Sequence, residues 1–361
     1  MPKMTEYNLR SAVLSDAAPL TELVAAAIPG YPFVGVYDSE QVAQSIRNGE
    51  YRILAEMPEI GVVATAVLGT ESVMSEIKRV VVHPKMRKNG LASQMTIRLA
   101  GEAKQLGHIP WADVRADQIG MQRAALAAGL SPVCLEPGKH VVYDHLYLNF
   151  GSKRPARETM IHMTSLPVDL DKLASHLKAW PITLRNRLLT ELYSSLKPQR
   201  YREVIAEKAL PSAIEVNHRI SQRINQEVKN LIKEESADFC QIKFQGHQLL
   251  IIKPDASGFF TINHDLNFPE LIKIAKRVGL QIITCYVDTK QINLLDSLDT
   301  AGFIPAMIRP WQEEGSEPVW QVGWQYRLND YGSCQHQVFL DPNVENMLLN
   351  QFSLLQLSVE N

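Results

Sequence analysis

Cysteine is scarce: four in 361 residues, at 134, 240, 285 and 334, with no metal-type or redox-type spacing. That excludes a disulfide scaffold or a zinc module and leaves free buried thiols as the expectation. Long apolar runs are missing as well, and Met1–Arg10 lacks the basic-then-apolar order of a signal peptide. A cytoplasmic chain with no membrane partner is therefore expected. Neither sign of charge is in excess, with 37 Lys and Arg against 39 Asp and Glu, so there is no electrostatic case for binding nucleic acid. The ten histidines are scattered, and His140 and His145, five apart on a strand, point to opposite faces. No metal site is expected.

What is present is core: 45% of residues are apolar and 21% charged, as in a globular chain. The length predicts two domains. The stretch that organises the reading is Ser75–Ala92, SEIKRVVVHPKMRKNGLA. Ser75 to His83 is dense in β-branched residues and predicts a strand. Pro84 stops it, having no N–H for a ladder. Lys85–Asn89 carries three cations, and Gly90 opens a helix with Leu91, Met95, Leu99, Ala103 and Leu106 on one face. A basic, glycine-containing loop feeding a helix N-terminus is an anion site, because the first turn has unpaired N–H groups and a partial positive charge.

Val80-Val81-Val82-His83-Pro84 followed by Arg87-x-x-Gly90-x-Ala92 resembles the acyl-CoA pyrophosphate loop of the GNAT acyltransferases. The resemblance implies that the pantetheine of acetyl-CoA or another acyl-CoA pairs with the strand Val80, Val81, Val82. It implies that the pyrophosphate meets the amides of Arg87, Lys88, Asn89, Gly90, Leu91 and Ala92, with Arg87 and Lys88 adding charge. The activity implied is transfer of an acyl group to an amine of a small molecule or peptide side chain, without a metal.

Such a reaction must deprotonate an ammonium, hold the thioester carbonyl and protonate the leaving thiolate. Glu76 is the candidate base, since family members often place a glutamate about there; four residues before Val80, it shares a face with it on a regular strand. Asp113 is a second candidate, and Lys78 is expected to be solvent-facing or paired. The family's tyrosine, four residues before a glycine on the late helix, is missing: Ala125 precedes Gly129 by four and Leu298 precedes Gly302 by four, while Gln118 takes the place of an asparagine. Tyr143, Tyr147 or water is left as the proton donor, and a thiol of ordinary pKa leaves adequately near neutrality. The missing tyrosine keeps open a non-catalytic acyl-CoA-binding or scaffold module; transfer from an acyl carrier protein is a third reading. A homodimer is compatible with the sequence.

In chain order, Asn8–Val13 predicts a strand, and Ser15 or Asp16 caps a helix with Leu20, Leu23, Val24 and Ala27 on its apolar face. Pro29–Asp38 is Gly/Pro-punctuated yet aromatic (Tyr31, Phe33, Tyr37), which suits a core-packed loop or a pocket wall; the resemblance favours the wall. Ser39 caps a second helix. Tyr51–Glu56 and Gly61–Leu68 form a hairpin, Val73–Val82 continues the sheet, and His108–Val114 follows the Gly90 helix. Gln118–Ala128 is a helix stopped by Gly129. Leu130–Val133 and Val141–Leu148 close the first lobe.

From Gly151 the pattern changes. A basic connector and a short strand near Thr159–Met163 precede Asp169–Glu235, predicted almost wholly helical, its last helix being Ala213–Glu235. Strand–helix alternation then returns: Cys240–Phe244, Gln248–Ile252, Gly258–Asn263, a helix Pro269–Val278, Leu280–Val287, a helix Thr289–Thr300, and a strand entered at Gly302. Val114–Val133 and Val287–Ala306 line up as strand, helix, Ala-Gly, proline, a weak internal repeat. FFTINHDLNF, where the second copy needs its loop, has no basic residue, so that copy is expected to be degenerate. The fold class expected is α/β (α+β), two GNAT-like mixed-sheet lobes joined by a helical segment, with boundaries at 1–150, 151–236 and 237–361.

Overall fold

The structure, a computed structural model, describes residues 7–29, 31, 33–70, 72–141, 157–196, 222, 232–235, 240–244, 248–253, 257–262, 266–328 and 340–360. The first half runs β1 (Asn8–Ser11), α1 (Ala17–Ala27), α2 (Ser39–Arg47), β2 (Tyr51–Met57), β3 (Gly61–Leu68), β4 (Met74–Val82), α3 (Leu91–Gln105), β5 (Ile109–Arg115), α4 (Ile119–Ala127), β6 (Ser131–Val141) and β7 (Arg157–Thr164). The strands form one sheet in the order β1-β2-β3-β4-β5-β7-β6. Only β4 and β5 run parallel, as the α3 crossover between them requires. Of the face read from the sequence, α3 buries Leu91, Met95, Leu99 and Ala103 in the core against β3, β4 and β5, whereas Leu106 follows the helix as its C-cap and is 55% exposed. Helices α1 and α2 cover the other face through Leu20, Val42 and Ala43 on Leu54. The cap of α2 is Asp38, whose carboxylate accepts from the N–H groups of Glu40 and Gln41, rather than Ser39.

The second half adds α5 (Leu170–Lys178), α6 (Ile182–Leu196), β8 (Ile232–Glu235), β9 (Cys240–Phe244), β10 (Gln248–Ile252), β11 (Ser257–Phe260), α7 (Phe268–Val278), β12 (Ile282–Asp288), α8 (Ile292–Thr300), β13 (Ile304–Trp311), β14 (Val319–Arg327) and α9 (Pro342–Glu360). Its sheet order, β8-β9-β10-β11-β12-β14-β13, is that of the first sheet with every strand number raised by seven. The parallel pair recurs at β11 and β12, and Gly129 (φ +80°) and Gly302 (φ +88°) close the equivalent helices in the left-handed conformation. The internal repeat is thus a repeat of topology.

Three elements differ from the sequence reading. The seventh strand of the first sheet is Arg157–Thr164, past the expected lobe end at 150, and it pairs with both β5 and β6. Ile232–Glu235, expected to finish a helix, is a strand whose backbone pairs with β9, Ile232 standing opposite Ile242. Leu130–Val133 is the start of one long strand, β6, while most of Val141–Leu148 lies outside the described residues.

The halves are joined by buried contacts. Arg157, 1% exposed, donates to the carbonyls of Gly138 and Lys139 and to Oε1 of Gln281 in the second half. The C-terminal α9 returns to the first half, placing Val344 and Leu348 in its core, while Arg123 pairs with Asp341 at 2.7 Å.

Candidate functional site

Strands β4 and β5 are paired only over Met74–Glu76 with Ile109–Trp111. Beyond Glu76 they part, β4 staying with β3 and β5 with β7. A cavity of about 740 Å³ occupies the gap, with Ile77–Val82 on one bank and Ala112–Arg115 on the other. The backbone on the free bank follows from the ladder. The Glu76 carbonyl accepts from Gly69 N–H, and His83 N–H donates to the Val63 carbonyl. Between them β4 carries a bulge, with its register shifted between Thr65 and Val67 of β3. Alternation resumed after the bulge turns the N–H and C=O of Val80 and Val82 away from β3 and into the gap.

The bulge centres on Arg79, whose φ of +53° is left-handed, and it corrects the expected alternation. Val80 and Val82 pack with Ile77 in the core under α3, whereas Val81 faces Leu23, Val24 and Ala27 of α1. Glu76 therefore does not share a face with Val80.

Just beyond the bank, Lys88 (φ +68°) and Gly90 (φ +77°) are both left-handed, and they curl residues 87–90 into the first turn of α3. A Cβ on Gly90 would meet nothing within 4 Å, so the glycine is there for its φ, not for space. No side chain caps this helix; Arg87, Lys88, Gly90, Leu91, Ala92 and Ser93, from the loop and the first turn, line the cavity. Asn89 is exposed on the same turn. Arg87 serves this loop as a clamp: it donates to the Ala27 carbonyl at 3.0 Å and the Val82 carbonyl at 3.4 Å. In the second lobe the equivalent helix α7 starts with Phe268-Pro269-Glu270, and Asn267 caps it by accepting from Glu270 N–H. Capped, acidic and without a basic loop among its described residues, that N-terminus lacks what an anion needs. The parallel pair there joins Ser257–Phe259 to Ile282–Thr284, and a Cβ at Gly258 would lie 2.7 Å from Leu280.

Glu76 lines the cavity, half-buried, with Lys78 Nζ at 3.8 Å. Asp113 also lines it but is locked. Lys139 Nζ lies 2.6 Å from Oδ2 and His162 Nδ1 3.4 Å from Oδ1. Burial alone would raise the Asp113 carboxyl, but Lys139 and His162 hold it far below the usual carboxylate range. It is no proton acceptor near neutrality. The same Lys139 nitrogen reaches Glu136 at 2.7 Å, Glu136 accepts from the Tyr286 hydroxyl at 3.0 Å, and Arg309 stacks on the Tyr286 ring at 3.6 Å. Cys134 and Cys285 are free and buried, with thiols pushed up by burial, and no metal-ligand cluster occurs among the described residues.

Ala125 and Gln118, read in the sequence in place of a tyrosine and an asparagine, both line the cavity wall. Tyr143 and Tyr147 lie outside the described residues. The aromatic loop supplies Tyr31 and Phe33 to the wall, with ring centroids 5.3 Å apart. Tyr37 braces the loop instead, its hydroxyl donating to the Ile28 carbonyl and accepting from Tyr31 N–H. Arg52, Thr65 and Ser45 complete this side and were not singled out from sequence. The signal was there for Arg52, a cation inside the buried run Tyr51–Met57.

Compared with protein-family models and with curated proteins, the sequence gives no match. Among solved structures, the chain is similar over about 44% of its length to the ribosomal-protein-S18-alanine N-acetyltransferase from Escherichia coli (15% identity, 92% of that chain, TM-score 0.36). The same share is similar to an N-acetyltransferase from Staphylococcus aureus Mu50 (18% identity, 97% of that chain, TM-score 0.36). It is also similar to a GNAT superfamily phosphinothricin acetyltransferase from Sinorhizobium meliloti in complex with AcCoA (16% identity, 86% of that chain, TM-score 0.36).

Proposed function

We propose that this chain is an acyl-CoA-dependent N-acyltransferase whose first lobe carries the site. One observation carries the reading: the gap between β4 and β5 exposes the Val80 and Val82 backbone and leads directly to the uncapped N-terminus of α3. Pantetheine is an extended chain with two amide groups, suited to a free strand edge. A pyrophosphate suits a helix start flanked by Lys88 and left-handed backbone. The proposed donor is acetyl-CoA or a longer acyl-CoA, and the proposed acceptor is an amine of a small molecule or peptide.

In this reading the Val80 and Val82 edge aligns the thioester along β4, and Glu76 takes a proton from the incoming ammonium, directly or through a water. The freed amine attacks the thioester carbonyl, the C–N bond forms and the C–S bond breaks; the nitrogen gives up its second proton to water, and the thiolate takes a proton from water, so that second proton is conserved overall. Lys78 Nζ lies 3.8 Å from Glu76 on the same face of β4. The second lobe, with its α7 start capped by Asn267, has a structural part. A second reading, a non-catalytic acyl-CoA-binding module, is favoured by Ala125 in the wall.

The experiment is thiol release from acetyl-CoA and longer acyl-CoAs against a panel of amines, with the full chain and with Glu76→Gln. Release that falls by two or more orders of magnitude in the variant, at unchanged CoA affinity, supports the transferase. Binding of CoA without release from any pair supports the module.

A further inference from the structure

We infer that the cavity wall formed by β2, β3 and β4 under α2 is an anion seat, and that the acceptor amine also carries a carboxylate. The inference rests on the acyltransferase reading for the word acceptor, but the seat itself is argued from its own residues.

Arg52 is the central observation. Its side chain is only 5% exposed, yet it lines the cavity. Nε and Nη2 both donate to one oxygen of Glu50, at 3.0 and 2.6 Å. Nη1 makes no hydrogen bond among the described residues. Arg52 has no side-chain nitrogen that is both buried and unpartnered, so this NH2 opens onto the cavity it lines, where an anion can meet it. Burial lowers the Arg52 guanidinium from its usual value, against the pull of Glu50. Glu50 has little left to offer, since Ser45 Oγ also donates to Oε1, at 3.1 Å, and Arg79 takes Oε2 at 3.0 Å.

Two neighbours extend the seat. Strand register puts Arg52 opposite Val67, and Val67 opposite Lys78, so Arg52 and Lys78 face the same side two strand spacings apart, roughly 10 Å at the backbone. Lys78 pairs with Glu76 at 3.8 Å and makes no hydrogen bond among the described residues. Arg79 lines the same cavity from its left-handed bulge, a conformation that costs a non-glycine residue about 1 kcal/mol or more and is kept where the site needs it. With Arg79 engaged by Glu50, one NH2 of Arg52 and the Lys78 ammonium supply donors for the two oxygens of a carboxylate. The third oxygen and second charge of a phosphate would go unmet. An acceptor anchored there by its carboxylate points its amine along β4 towards Glu76, two residues from Lys78 on the same face, with Tyr31 and Phe33 walling the cavity.

The test is calorimetric titration of the full chain, saturated with coenzyme A, with the twenty common amino acids, β-alanine and γ-aminobutyrate, each beside its amide, and with ethanolamine beside phosphoethanolamine. The expected result is that at least one acid binds, that its amide binds at least tenfold more weakly, and that Arg52→Gln removes the difference. Equal binding of acids and amides, binding of neither, or a preference for phosphoethanolamine overturns the carboxylate seat. Should the variant fail to fold, the acid–amide comparison in the unaltered chain decides alone. The readout is binding, so the two readings fail separately: acids that bind while no amine releases thiol from acetyl-CoA leave the seat and remove the transferase. Thiol release with uncharged amines at full rate does the reverse.

Discussion

Lys139 Nζ stands 2.6 Å from Oδ2 of Asp113, and both side chains are 8% exposed. Through Glu136 the pair reaches Tyr286 of the second sheet, so a charge at the cavity of one lobe is neutralised by a network shared with the other. Breaking a buried pair from one side strands the remaining charge. Lys139→Met is expected to destabilise the chain by about 3–5 kcal/mol in urea denaturation. Adding Asp113→Asn to that variant is expected to recover a large part of the loss, because the stranded carboxylate is gone. Full additivity of the two losses would show that they do not interact.

The same pair sets an acid limb. The Asp113 carboxyl is held below its unfolded value, as are Asp16 by Arg10 and Asp341 by Arg123. A group with a depressed folded value stabilises fully above its unfolded pKa, about 3.9 for an aspartate, and loses that contribution as pH falls through the folded value. Stability by urea midpoint is therefore expected to decline gently from pH 7 to about 5, as the unfolded chain protonates His162 and His176, which burial keeps neutral in the fold, and to fall steeply below about 4. The Asp113→Asn, Lys139→Met double variant is expected to show a shallower fall over the same window.

How much of this was legible depended on distance along the chain. The strand, loop and helix from Met74 to Gln105 are local, and the alternation of Ile77 to Val82 and the spacing of Leu91, Met95 and Leu99 gave them away. The bulge at Arg79 was not legible, because it is a mismatch of register with β3 and no residue in SEIKRVVV signals it. Asp113 and Lys139 are 26 residues apart on strands that do not touch, since β7 lies between them in the sheet. That interleaving hid the pair and made Asp113 read as a base. Ile232 was misread for the opposite reason: its spacing from Ile224 and Val228 is helical in the sequence, but its backbone pairs with a strand opposite Ile242.

Helix α9 belongs energetically to the first lobe although it ends the chain. Leu348 is 3% exposed in the core that also holds Leu99 and Leu135. Leu348→Ala is expected to cost about 2–5 kcal/mol, the range for a buried leucine truncated to alanine. The informative measurement is CoA affinity beside the denaturation curve. Weaker affinity at a temperature where most molecules are still folded would mean that α9 steadies α4 through Arg123 and Asp341, whereas loss of stability alone means it only fills the core.

Lys88 gives the sharpest test of the loop. It is exposed, lines the cavity and already has a left-handed φ of +68°, so replacing it by another non-glycine residue leaves the backbone cost unchanged. Lys88→Glu reverses a charge at the positive end of α3, where an anionic side chain competes with a bound anion for the same amides. CoA affinity is expected to fall at least tenfold at low ionic strength, and the gap to the unaltered chain is expected to narrow in high salt as screening grows. S-acetylpantetheine, which has no pyrophosphate, is expected to bind both proteins alike. Equal losses for the two ligands would mean the turn had been disturbed rather than its charge, and an unchanged CoA affinity would remove the pyrophosphate from this loop.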